Sequence, residues 1–97
     1  MEDLEFEWDP KKDKANAKKH GVSFNEAKTA FFDETAMVFH DPDHSADEDR
    51  FILLGMSSQS GILVVCHCIR DKESVIRIIS ARCADKREET DYWEYRA

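Results

Sequence analysis

The sequence predicts an α+β fold in the order β-α-α-β-β-β-β-α, with an antiparallel sheet, two N-terminal helices and a C-terminal helix. Three observations carry this. Asp9-Pro10 and Gly21 bracket a polar stretch of helical length. Between Arg50 and Ala81 lie three apolar runs separated only by short turns, and strands so connected pair antiparallel. After Ala84 the pattern turns helical again. Ninety-seven residues make one domain, spanning 1–97.

Leu4 to Trp8 alternates Leu4, Phe6 and Trp8 with Glu5 and Glu7, the period of a half-buried strand. Asp9 suits the N-cap of a helix over residues 10–20, and Pro10 suits its first turn. Gly21 supplies the left-handed stop, with Lys18, Lys19 and His20 at the negative end of the helix dipole. Ser23-Phe24-Asn25-Glu26 reads as a capping box for a second helix over 23–32, whose buried stripe is Phe24, Ala27 and Phe31. Thr35 to His40 is rich in β-formers and ends at Asp41-Pro42. Asp41 to Asp49 is a polar loop. Arg50–Ser57 and Ile62–Ile69 are strands joined across Ser58-Gln59-Ser60-Gly61, and a turn at Asp71–Ser74 leads to a last strand, Val75–Ala81. Asp85-Lys86-Arg87-Glu88-Glu89 and Tyr92-Trp93 form the C-terminal helix.

The net charge of −7 argues against a broad polyanion-binding surface. Positive charge gathers at Lys11–Lys19 and Arg70–Arg87, so a local cationic site inside an acidic molecule is compatible with the pattern. No apolar run approaches the roughly 20 residues of a membrane span. The acidic start lacks the plan of a secretory signal, so a cytoplasmic location is expected. The odd cysteine count suits a reducing compartment, and Cys66 and Cys68 share one strand face as small hydrophobes.

Arg77, flanked by isoleucines, is costly to bury unless its guanidinium meets an oxyanion. That partner is either a carboxylate such as Glu88 or a bound phosphate. Arg82 follows the same strand and Arg50 opens another, so three arginines of one small sheet are placed to converge. His67 reads as a core or surface histidine. Cys66-His67-Cys68 lacks zinc-knuckle spacing, and His40-Asp41-Pro42-Asp43-His44 reads as a solvated turn rather than a metal loop. No metal or cofactor is expected. Trp8 suits either the core or stacking on a base.

Phe6-Glu7-Trp8-Asp9-Pro10, Asn16, Lys19-His20-Gly21-Val22-Ser23-Phe24, Glu26-Ala27, Asp41-Pro42, Asp49-Arg50-Phe51 and Gly55 resemble the BrnT toxin family. So does Arg77-Ile78-Ile79-Ser80-Ala81-Arg82, followed by Ala84, Glu88 and Tyr92. The resemblance runs from about residue 5 to residue 92. It implies the toxin of a bacterial type II toxin–antitoxin pair: a RelE-like, metal-independent endoribonuclease that cuts RNA and inhibits translation and growth. A BrnA-type antitoxin would neutralise it in a heterotetramer; the toxin itself would touch no membrane, and DNA would be reached only through the antitoxin.

For such a reaction Arg50, Arg77 and Arg82 would clamp phosphate and offset transition-state charge. His20 or Lys19 would serve as base or acid, and Glu88 or Tyr92 would hold these groups or move protons. Trp8, Lys19, Arg77 and Arg82 would bind the RNA. Two other classes compete: a non-catalytic descendant that only binds partners, and a metal-dependent hydrolase using His40, Asp43 and His44.

Overall fold

Five strands form one sheet in the order β1-β5-β4-β3-β2. They are β1 Glu5–Glu7, β2 Met37–Asp41, β3 Arg50–Met56, β4 Ile62–Arg70 and β5 Val75–Cys83. The helices are α1 Pro10–His20, α2 Phe24–Thr29 and α3 Lys86–Tyr95, with 3-10 turns at Ala30–Phe32 and Pro42–His44. The computed structural model describes residues 4–44, 48–70, 72 and 74–95. Part of the expected polar loop (45–47) and of the expected turn (71 and 73) lies outside the described residues.

The antiparallel expectation holds from β2 through β5. β1 departs from it and runs parallel to β5, with Glu5, Phe6 and Glu7 opposite Val75, Ile76 and Arg77. No hairpin ties these two strands, so no tight turn imposes reversal. Arg82 also lies inside β5 rather than beyond it.

Local chemistry sets the helix ends. Asp9 accepts from Lys11 N at 2.9 Å, and Gly21, at φ 72°, closes α1 with its N–H on Ala17 O. Ser23 Oγ accepts from Glu26 N at 3.1 Å, but the reciprocal half of the expected capping box does not form. Glu26 instead takes Ser58 Oγ, Gln59 N and Ser60 N at 3.0, 2.6 and 2.8 Å, serving amides of the β3–β4 turn. Burial pushes the Glu26 carboxyl up, yet these hydrogen bonds outweigh it and hold it below its ordinary value. A complete box forms at α3, where Asp85 accepts from Glu88 N at 2.8 Å and Glu88 from Asp85 N at 2.9 Å.

The main core lies between one sheet face and the first two helices. Phe24, Ala27 and Ala30 meet Leu53, Leu63, Val65, Ile78 and Ala81, with Phe6 and Trp8 alongside. His67 is buried on this side, its ring 4.8 Å from Phe31 and 6.0 Å from Phe51, and burial lowers its pKa. It is a core residue. On the other face α3 covers only one end, through Leu54, Ile62 and Tyr92. Tyr92 donates to Asp33 Oδ2 at 2.5 Å and lies 3.0 Å from Thr35 Oγ1. Asp33 also accepts from Met56 N and Thr35 N, at 2.8 and 2.9 Å, joining α3, β3 and the chain after α2.

A bulge shapes β5. Cys66 faces Ser80 and His67 faces Ile78, which leaves Ile79 as the extra residue. Just beyond it, Asn16 receives Ala81 N at 3.0 Å and donates to Ala81 O at 2.8 Å and Val22 O at 2.9 Å. Since β1 has already ended, the Asn16 amide occupies the edge of β5 as a neighbouring strand would.

Candidate active site

The sheet face left open by α3 contains a cleft of about 400 Å³, lined by His20, Asp41, Arg50, Ile52, Cys66, Ser80 and Arg82 among others. His20 comes from the last turn of α1, where the Gly21 stop fixes its position. Arg50 and Asp41 are cross-strand partners on β3 and β2. Arg82 is opposite Val64 on β4, and Cys66 and Ser80 face each other at the bulge.

Arg82 is held from behind. Its Nη1 and Nη2 donate to Glu88 Oε1 and Oε2, both at 2.8 Å, and Nη1 reaches Cys83 O at 3.3 Å. The Arg82 hydrogen bond depresses the Glu88 pKa, and the same bond raises that of Arg82. Glu88 is therefore a firm carboxylate at neutral pH that aims a guanidinium, not a group poised to exchange protons. The planar fork carries five N–H donors, so others remain for an incoming oxyanion. Burial pushes the Cys66 thiol up, which keeps it neutral on the cleft floor.

The other sequence candidates are elsewhere. Arg77 is on the same face nearer β1, where Nη1 donates to Glu7 Oε2 at 2.9 Å; its carboxylate partner is Glu7, not Glu88. Arg70 reaches the same Glu7 oxygen at 3.9 Å and Glu48 at 3.2 Å. Lys19 is exposed and does not line the cleft. Tyr92 is 1% exposed with its hydroxyl on Asp33, and it does not line the cleft. Trp8, half-buried, packs edge-on against Phe24 at 6.0 Å beside the helix-side core and does not line the cleft. His40 pairs with Asp49 at 3.2 Å, and no group of three His, Cys, Asp or Glu among the described residues forms a metal-ligand set.

Of the sequence candidates, then, His20, Arg50 and Arg82 meet at one cleft, with Glu88 supporting. Asp41, Cys66 and Ser80 were not anticipated there. Cross-strand register places them, and the β5 bulge hides that register from simple alternation. Two guanidinium groups and an imidazole around such a cavity can hold a phosphodiester, stabilise added negative charge and move a proton.

Compared with known protein families, residues 8–88 match the ribonuclease toxin BrnT of type II toxin–antitoxin systems. The chain belongs to the BrnT family. The matched span contains every residue lining the cleft, together with Glu88. Among solved structures, the crystal structure of the Brucella abortus ribonuclease toxin BrnT is similar, with a TM-score of 0.66 at 24% identity. That match covers 87% of this chain and 100% of the other, and it establishes the BrnT-type fold. No curated protein matches the sequence. Among the described residues no helix is long and apolar enough to cross a membrane.

Proposed function

We propose that this BrnT-family chain cleaves RNA in the cleft formed by His20, Arg50 and Arg82, without a metal ion, and so inhibits translation and growth. The observation that carries this reading is the meeting of those three side chains at one cavity in a chain of net charge −7. Arg50 and Arg82 bind the non-bridging oxygens of a phosphodiester and offset the charge that builds as a ribose 2′-hydroxyl attacks. His20 transfers a proton to or from the attacking or leaving oxygen, a contribution of about 10²–10⁴-fold. Glu88 positions Arg82. A BrnA-type antitoxin, itself the DNA-binding partner, neutralises the toxin in a heterotetramer within the cytoplasm.

The test is induced expression of the wild type and of Arg50→Ala, Arg82→Ala and His20→Ala, with growth, RNA integrity and thermal melting followed together. Growth arrest and RNA loss in the wild type, both abolished in folded variants, support the reading. Full toxicity in all three variants sinks it. Purified toxin should keep cutting RNA in excess chelator.

A second reading is a non-catalytic descendant that only binds its antitoxin. It is favoured by the carboxylates already paired with Arg77 and Arg82. It predicts tight antitoxin binding with intact RNA.

A further inference from the structure

The cleft does not end at Arg82. A second groove, about 690 Å³, continues across the same sheet face and shares Ile52 and Val64 with the first. Its character differs. Met37, Phe39 and Leu54 make an apolar floor and wall, and α3 overhangs with Arg87, Glu88, Asp91 and Tyr95. Phe39 is 48% exposed and Tyr95 72% exposed, so two aromatic rings stand at the surface on either side of an apolar trough. The Asp91 carboxylate has no hydrogen-bond or ion-pair partner among the described residues.

We propose that this groove is a nucleobase subsite that selects the base adjoining the phosphate held by Arg50 and Arg82, with guanine preferred. The inference rests on the cleavage-site reading above and adds to it a determinant of sequence choice. With Arg87 and Asp91 offsetting each other in formal charge and Glu88 already paired with Arg82, the apolar groove suits a neutral planar base, whose faces stack on aromatic side chains. A carboxylate accepts hydrogen bonds and donates none, so Asp91 favours a base edge carrying N–H donors. The Watson–Crick edge of guanine presents two adjacent donors, which one carboxylate can accept together. Glu88 cannot take this part, because Arg82 occupies both of its oxygens. Phe39 supplies the stacking face and Asp91 the edge contact, while the shared residues Ile52 and Val64 make the base groove adjoin the phosphate cleft.

The experiment is amide chemical-shift titration of the isotope-labelled full chain with inorganic phosphate and with each of the four nucleoside 3′-monophosphates. Phosphate should move resonances around Arg50, Ser80 and Arg82. Guanosine 3′-monophosphate should also move those of Phe39, Leu54 and Asp91, and bind about tenfold or more tightly than phosphate, the scale of one stacked base. Phe39→Ala and Asp91→Asn, checked for unchanged melting, should each erase most of that advantage while phosphate affinity stays as in the wild type. If the nucleotides disturb only the resonances that phosphate disturbs, the base subsite is wrong and the phosphate cleft stands. Groove shifts with no phosphate response would support the subsite and overturn the cleft reading; no response to any probe overturns both. Groove shifts with purified antitoxin but with no nucleotide would make the groove a protein-docking surface and overturn the inference.

Discussion

Arg82 and Glu88 meet fork to fork, Nη1 on Oε1 and Nη2 on Oε2, each at 2.8 Å. Glu88→Gln keeps an oxygen for the Asp85 amide but loses the second charged contact. Because the pair is partly exposed, with Arg82 at 43%, the stability cost should stay below about 1 kcal/mol. Cleavage should suffer more, by about tenfold in kcat/KM, as Arg82 loses its orientation. Steady-state kinetics beside thermal melting checks this; equal activity would remove Glu88 from the mechanism.

Tyr92→Phe should do the reverse. It deletes a hydroxyl held by Asp33 and Thr35, at a cost of about 1–2 kcal/mol in urea unfolding, and leaves RNA cleavage at the wild-type rate. A loss of cleavage without a loss of stability would return Tyr92 to the reaction site.

Asp33 gives the fold an acid limit. Burial raises its carboxyl, but hydrogen bonds from Tyr92, Met56 N and Thr35 outweigh that and bring it down to about 2. The folded protein therefore binds this proton more weakly than the unfolded chain does. Its stabilisation, of order 1–2 kcal/mol, is complete above the ordinary value of 3.8 and drains away as pH falls toward 2. Asp33→Asn should flatten the stability–pH curve in that window, measured by urea midpoints.

Asn16→Ala should be among the most damaging changes in α1. It strips a buried residue of three hydrogen bonds and leaves both backbone groups of Ala81 without their partner. A loss of about 2–4 kcal/mol is expected. Hydrogen exchange should report faster opening of β5 near Ala81 before global unfolding.

Gly55→Ala tests a steric demand. A Cβ at Gly55 would sit 2.9 Å from Ala30 O and 3.0 Å from Ala36 Cβ, inside the contact between β3 and the turn after α2. Destabilisation of about 1–3 kcal/mol should follow, with no direct effect on the cleft.

What the sequence made legible was mostly local chemistry. Asp9, Pro10 and Gly21 set the ends of α1 because capping is decided within a few residues. The hairpin strands were equally plain, since apolar runs and short turns leave little choice. The parallel edge strand was not, because Glu5–Glu7 meets Val75–Arg77 across nearly the whole chain. Glu26 showed the same limit, matching a capping box while its carboxylate serves a distant turn. Charged residue types led to His20, Arg50 and Arg82, which the structure brings to one cleft. Aromatic residues were less telling, because Trp8 and Tyr92 suit a core as well as a binding surface; here Tyr92 is buried and Trp8 packs half-buried against the helix-side core.

Arg77 and Arg82 are five positions apart, an odd step that regular alternation would send to opposite sides of the sheet. The unpaired Ile79 resets the count, so both stand on the face opposite the first two helices. Strand register in β5 thus encodes the site as surely as residue identity does. Removing Ile79 would leave a step of four, which plain alternation keeps on one face, so Arg82 should stay outward and Ala81 inward without the bulge. What would turn Arg82 inward is a β5 of unchanged length that pairs without the bulge, a change of register that no side-chain truncation reports.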